Sequence, residues 1–211
     1  MKFSFVAILM LPLVGRMNLR ASDSFVNTVT NALETKSRLV DSVFTNYICN
    51  CASQSTNEEM ALTAKLVQTV ISLELFEDTM DDACLRQAFQ SATNTMNQAS
   101  QAVGSWQYWH AQLLHAMCMN TDNNLSGAYL VASNAWCNNH SFRDDESTNV
   151  VSRSLLRYYG LDRNIPLREA VAAFTAIAAD GVGNTNESNR LKMLLSDQLK
   201  QKVELFLTTE K

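Results

Sequence analysis

The sequence predicts an all-α fold: a secreted bundle of seven or eight helices, carrying cysteines placed to clamp it. Three observations lead there. Apolar residues recur at three- and four-residue steps through most of the chain, and strand-like alternation is scarce. Beyond Ala21 there is one proline, Pro166, and five glycines, so little interrupts helical segments. The first residues, MKFSFVAILMLPLVG, put one lysine ahead of an apolar run from Phe3 to Val14, the pattern of a signal peptide. That run is too short for a membrane span, and no later stretch approaches the ~20 apolar residues a stable insertion needs. Cleavage is expected after Gly15 or Ala21, leaving 22–211 as a single all-helical domain with a subdomain boundary near 144–148.

Charge narrows the partners. The chain carries a formal −4; removal of Lys2, Arg16 and Arg20 with the leader, which has no acid, takes it to −7. Nucleic-acid phosphates demand clustered Lys and Arg, which this composition does not offer. Nor is there a polybasic grip for anionic lipid.

The elements follow in order. Ser24 to Asn50 reads as one helix, with Phe25, Val29, Leu33, Val40, Phe44 and Tyr47 as its stripe. Ser55 or Thr56 caps the next, which runs to about Asp78; Leu62, Leu66, Val70, Leu73 and Phe76 are widened by Ala61, Val67 and Ile71 into a face broad enough for a central helix. A third begins near Asp81 or Asp82, carries Leu85, Ala88, Phe89, Ala92, Met96, Ala99 and Val103, and ends or bends at Gly104. The fourth, WQYWHAQLLHAMCM, holds the densest aromatic group. A fifth spans Leu125 to Asn138, and a sixth Val150 to Tyr159, with Gly160 as its cap. Pro166 starts a short alanine-rich helix through Ala179. DGVGNTNES makes a turn, and a last helix from Glu187 to Leu207 buries Leu191, Leu195, Leu199, Val203 and Phe206.

The cysteines are Cys49, Cys51, Cys84, Cys118 and Cys137. In an exported chain they are disulfide candidates. Cys49 and Cys51 lack the two-residue gap of a redox pair and the paired spacing of a zinc site. On a helix they point about 200° apart, so they serve two different neighbours rather than each other. The odd count leaves one thiol free, bonded to a small thiol, or bonded to another chain, as in a homodimer.

Few residues suggest chemistry. His110 and His115 are five apart, a poor metal pair, and no Asp or Glu occurs from Ala83 through Thr121. His140 stands beside Ser141 and ahead of Asp144 and Asp145, but no nucleophile-elbow motif accompanies them. Glu74 and Asp78 share a helix face without a defined partner. Neither DGVGNTNES nor TDNNLSG has the glycine register of a calcium loop. No catalytic residue, metal ligand or cofactor is therefore assigned. Asn124, Asn139 and Asn186 begin N-glycosylation motifs.

The stretches SDSFVNTVTNAL, NEEMALTAKLVQTVISLELFEDTM and CLRQAFQSATNTMNQA together resemble the opening helices of spider-silk protein N-terminal domains, over Ser22–Ala99. The resemblance implies an alanine-, serine- and methionine-rich helical bundle used in soluble storage and assembly. It carries no functional residue across.

Three functions compete. The first is a non-enzymatic secreted structural or protein-interaction domain taking part in extracellular assembly, with a protein partner or a second copy. The second is a carrier of a small apolar molecule, in a helical pocket lined by Phe89, Trp106, Trp109 and Leu113, since Trp offers both area and a polar handle. The third is a hydrolytic enzyme using His110, His115 or His140 as base.

Overall fold

A computed structural model describes residues 23–36, 38–99, 105–138 and 149–209. The expected leader, Gly104, Asn139, His140 and the 144–148 boundary lie outside these residues. The described chain is an all-α bundle of ten helices, more than the eight segments expected. Both extra helices come from breaks inside continuous apolar stripes.

The first break splits 24–50. Helix α1, described over 23–35, stops at Lys36, which turns left-handed with φ 53°. Asp41 then caps α2 (Ser42–Gln54), accepting the Val43 and Phe44 amides at 2.8 and 3.2 Å. A cap of this kind stabilises a helix by about 1 kcal/mol. The turn shifts the phase of the stripe: Leu39 is fully buried, while Val40, expected inside, is 38% exposed.

Helix α3 (Glu58–Thr79) is capped by Asn57, which accepts the Met60 amide, rather than by Ser55 or Thr56. Its Thr63, Thr69 and Ser72 are buried alongside Leu66, Val67 and Val70, so it is enclosed on nearly all sides. Met80, left-handed at φ 56°, ends it. Helix α4 (Asp82–Ala99) packs on α3 through Leu85, Ala88, Ala92 and Thr95, and Ser91 donates to the Lys65 carbonyl at 2.9 Å. Short side chains on that face permit the close approach.

Helix α5 (Trp106–Thr121) touches α3, α4 and α6 (Leu125–Cys137), together with α7 (Val150–Tyr158) and α8 (Leu167–Gly181). It is the hub of the bundle, and its buried residues run from Trp106 to Cys118 on every face. Thr175 of α8 donates to the Ala132 carbonyl of α6 at 3.0 Å. Gly160, at φ 79°, ends α7 as expected: its amide reaches the Arg157 carbonyl and that of Leu161 reaches Leu156.

The second break splits the last expected helix into α9 (Thr185–Lys192) and α10 (Asp197–Thr209). Ser196 restarts the helix by accepting the Lys200 amide, while its own amide donates to Glu169 at 3.2 Å. Leu191, Leu195 and Leu199 remain buried across the turn, but Phe206 is 43% exposed rather than inside. One large apolar cluster draws on α1 through α8, and a smaller one joins Ala172 and Ala173 of α8 to Leu195, Leu199 and Val203.

The disulfide expectation is overturned. Cys49, Cys51, Cys84, Cys118 and Cys137 are all free thiols. The two on α2 do face different ways, but each meets non-cysteine surroundings. Gln68 Nε2 lies 3.3 Å from Cys49 Sγ, and Cys51 packs in the core with Tyr47 at its side. Burial pushes the Cys118 thiol up to about 12, which keeps it protonated. Cys84 sits at the start of α4 and Cys137 is exposed at the end of α6.

Candidate functional site

The histidines of α5 go to opposite sides of the helix, as their spacing dictates. His110 is fully buried against α7. Its Nδ1 lies 3.0 Å from Tyr159 Oη and its Nε2 2.8 Å from Ser152 Oγ. A neutral imidazole has one donor and one acceptor nitrogen, and a hydroxyl can take either complementary role. Both ring nitrogens are therefore satisfied. Burial pushes the His110 value down to about 3, so the ring is neutral. The arrangement brings a serine to a histidine, but Ser152 is 1% exposed and a hydroxyl, not a carboxylate, occupies the other ring nitrogen. Both members of the pair are buried in the described fold. His115 points toward α4, edge-on to Phe89 at 5.6 Å, and burial lowers its value too.

Trp106, Trp109 and Leu113 are core residues. Trp109 and Leu113 are fully buried, and Trp106 meets the His110 ring edge-on at 5.9 Å. Trp106 borders a small recess of about 60 Å³ that it shares with α1, α3 and α7. Phe89, the fourth residue of the expected pocket, is partly buried against the same core.

The space lies elsewhere. A half-open cleft of about 580 Å³ runs between the C-terminal half of α5, α8 and α10. Ala116, Met117, Asn120 and Thr121 line it from α5; Ala173, Phe174, Ile177 and Ala178 from α8; Leu199, Lys202, Val203, Leu205 and Phe206 from α10. Ala128 of α6 and Tyr159, Gly160 and Leu161 complete the wall. Alanines of α5, α6 and α8 stand along its wall. Its volume falls in the ~300–1,000 Å³ range of small-molecule sites.

Tyr159 joins the two regions. Its ring stacks edge-on with Phe174 at 5.6 Å in the cleft wall, and its hydroxyl is held by His110 behind it. Burial raises its hydroxyl well above the ordinary value, so it stays neutral. At the rim, Lys202 Nζ donates to the Gly160 carbonyl at 3.1 Å. Phe174 and Lys202 were not singled out by motif. The available signal was the alanine density of AVAAFTAIAA in α8.

The remaining candidates are accounted for locally. Glu74 pairs with Lys36 at 3.7 Å, and Lys36 lies 4.7 Å over the Tyr158 ring. Asn124 is exposed and caps α6 by accepting the Gly127 amide, and Asn186 is exposed in α9. Among the described residues no His/Cys/Asp/Glu group is placed to hold a metal ion, and no helix is long and apolar enough to cross a membrane. No protein-family description, curated protein or solved structure matches the chain, and nothing among them identifies the silk-type domain that the opening helices resemble.

Proposed function

We propose that this protein binds and carries a small apolar molecule in the cleft between α5, α8 and α10. The observation that carries the reading is the cleft itself: about 580 Å³ walled by alanine, leucine, isoleucine, valine and aromatic side chains, with few polar groups at the rim. Phe89, Trp106, Trp109 and Leu113 do not line this cleft, and the class of ligand is the one expected from the sequence. Export of the carrier belongs to the proposal on the strength of the leader-like N-terminus alone.

A second reading keeps the interaction domain. Leu205 and Phe206 on the cleft rim are 65% and 43% exposed, and Met193 and Leu194 on the preceding turn are 78% and 51% exposed. That apolar surface also suits a protein partner or a second copy.

One experiment separates them. Purified protein stripped of bound lipid is titrated with an environment-sensitive apolar fluorophore, beside Ala178→Phe, which fills the cleft from α8. Saturable one-to-one binding by the parent, lost in the filled variant with helical content intact, is the expected result. Absence of saturable binding by the parent would overturn the carrier. Concentration-dependent dimerisation abolished by Phe206→Asp, without probe binding, would favour the interaction domain.

A further inference from the structure

Resting on the carrier reading, we infer that the ligand is a monoanion, an apolar molecule ending in a carboxylate, with Lys202 as the residue that receives its head. Among the described residues that line the cleft, Lys202 alone carries a full charge. No carboxylate of the described residues forms an ion pair with it. Its ammonium has three protons, and one is committed to the Gly160 carbonyl at 3.1 Å. The others are available at the rim, next to apolar walls that favour a hydrocarbon body.

The helix end beside Lys202 bears on the preference as well. Gly160 closes the C-terminal end of α7, where the helix dipole presents about half a negative charge. Lys202 covers that end and is the one full charge among the described lining residues, so it suits a ligand head with a single negative charge. A phosphomonoester, with nearly two charges and three strong acceptor oxygens, calls for clustered arginines or a helix N-terminus, and the described lining offers neither. The neutral atoms of Asn120 and Thr121 lie on α5, where they can serve a hydroxyl or carbonyl further along the ligand. A cation at this rim would meet Lys202 directly and be rejected.

The alternative role for Lys202 is to cap α7 and nothing more. Dodecanoic acid, dodecanol and dodecylamine, matched in apolar body, distinguish the two. Isothermal titration of the full chain at neutral pH is expected to show the acid binding about fivefold tighter than the alcohol, with the amine weakest. Raising salt should weaken the acid and leave the alcohol unmoved. Lys202→Met, its fold checked by circular dichroism, should bring acid and alcohol to the same affinity. Equal affinity of acid and alcohol in the parent, or an acid preference that survives Lys202→Met, overturns the inference while the carrier stands. Failure of all three ligands to bind the parent overturns the carrier, and the inference with it.

Discussion

The aromatic side of α5 and the alanine side of α8 make opposite use of volume. Around Trp106, Trp109 and His110, large rings meet one another and a buried serine and tyrosine, and the space closes. Across the bundle, Ala173 and Ala178 face α10, whose Leu205 and Phe206 are 65% and 43% exposed, and about 580 Å³ remains. A concentration of aromatic residues marks where the interior is full. A concentration of short residues opposite a loosely applied helix marks where it is not. Tyr159 sits on the border and serves both, since its ring walls the cleft while its hydroxyl completes the His110 pair.

Truncating one large ring in each region tests this most severely. Trp109→Ala should cost about 3–5 kcal/mol in urea unfolding. Phe206→Ala, 43% exposed at the start, should cost less than about 1 kcal/mol. Similar losses at both sites would show that the cleft side is packed as tightly as the aromatic side.

Acid should strain the closed region first. The folded-state value of His110 lies at about 3, below the ~6.5 of an unfolded histidine. The folded protein therefore favours the neutral ring. The stability this confers is complete above about pH 6.5 and declines as pH falls toward 3, because only the unfolded chain takes up the proton in that window. The slope is about 1.4 kcal/mol per pH unit, or about 2 kcal/mol from pH 6.5 to pH 5. His115 adds in the same direction. Unfolding measured across that window in the parent and in His110→Gln reads the effect as a flatter profile in the variant.

A matched pair of enlargements sharpens the contrast. Ala111→Leu enters the full side, where Ala111 is completely buried, and should destabilise by about 1–2 kcal/mol. Ala178→Leu enters the cleft and should change stability by less than about 0.5 kcal/mol. The smallest effect is expected from a reductant. With all five cysteines free, adding one should leave the melting temperature unchanged; a clear drop would contradict the thiol state.

Much of the helical pattern was legible in the residues. The breadth of the α3 face announced a central helix, and Pro166 and Gly160 marked true boundaries. Two breaks were hidden by the very periodicity that revealed the helices. Leu191, Leu195 and Leu199 are all buried and four apart, so the stripe reads on through a turn that the backbone actually makes. At Lys36 a left-handed residue other than glycine stops α1, and side-chain type gives no warning of that. The cleft was less legible still. It is a deficit of volume shared by five segments distant in sequence, and a deficit has no motif. The cysteine count was read through the expected compartment, whereas bonding depends on which side chains the fold brings face to face.

Helix α10 packs chiefly on α8, through a cluster much smaller than the main core. Its attachment has a kinetic side. Lifting it exposes Leu195, Leu199 and Val203 and breaks the Lys202 contact, while the interlocked rings on α5 stay in place. The amides of α10 should accordingly trade their hydrogens for deuterium through a sub-global opening, well before those of α3 and α5. Opening of that one helix is then uncoupled from the far slower unfolding of the whole chain.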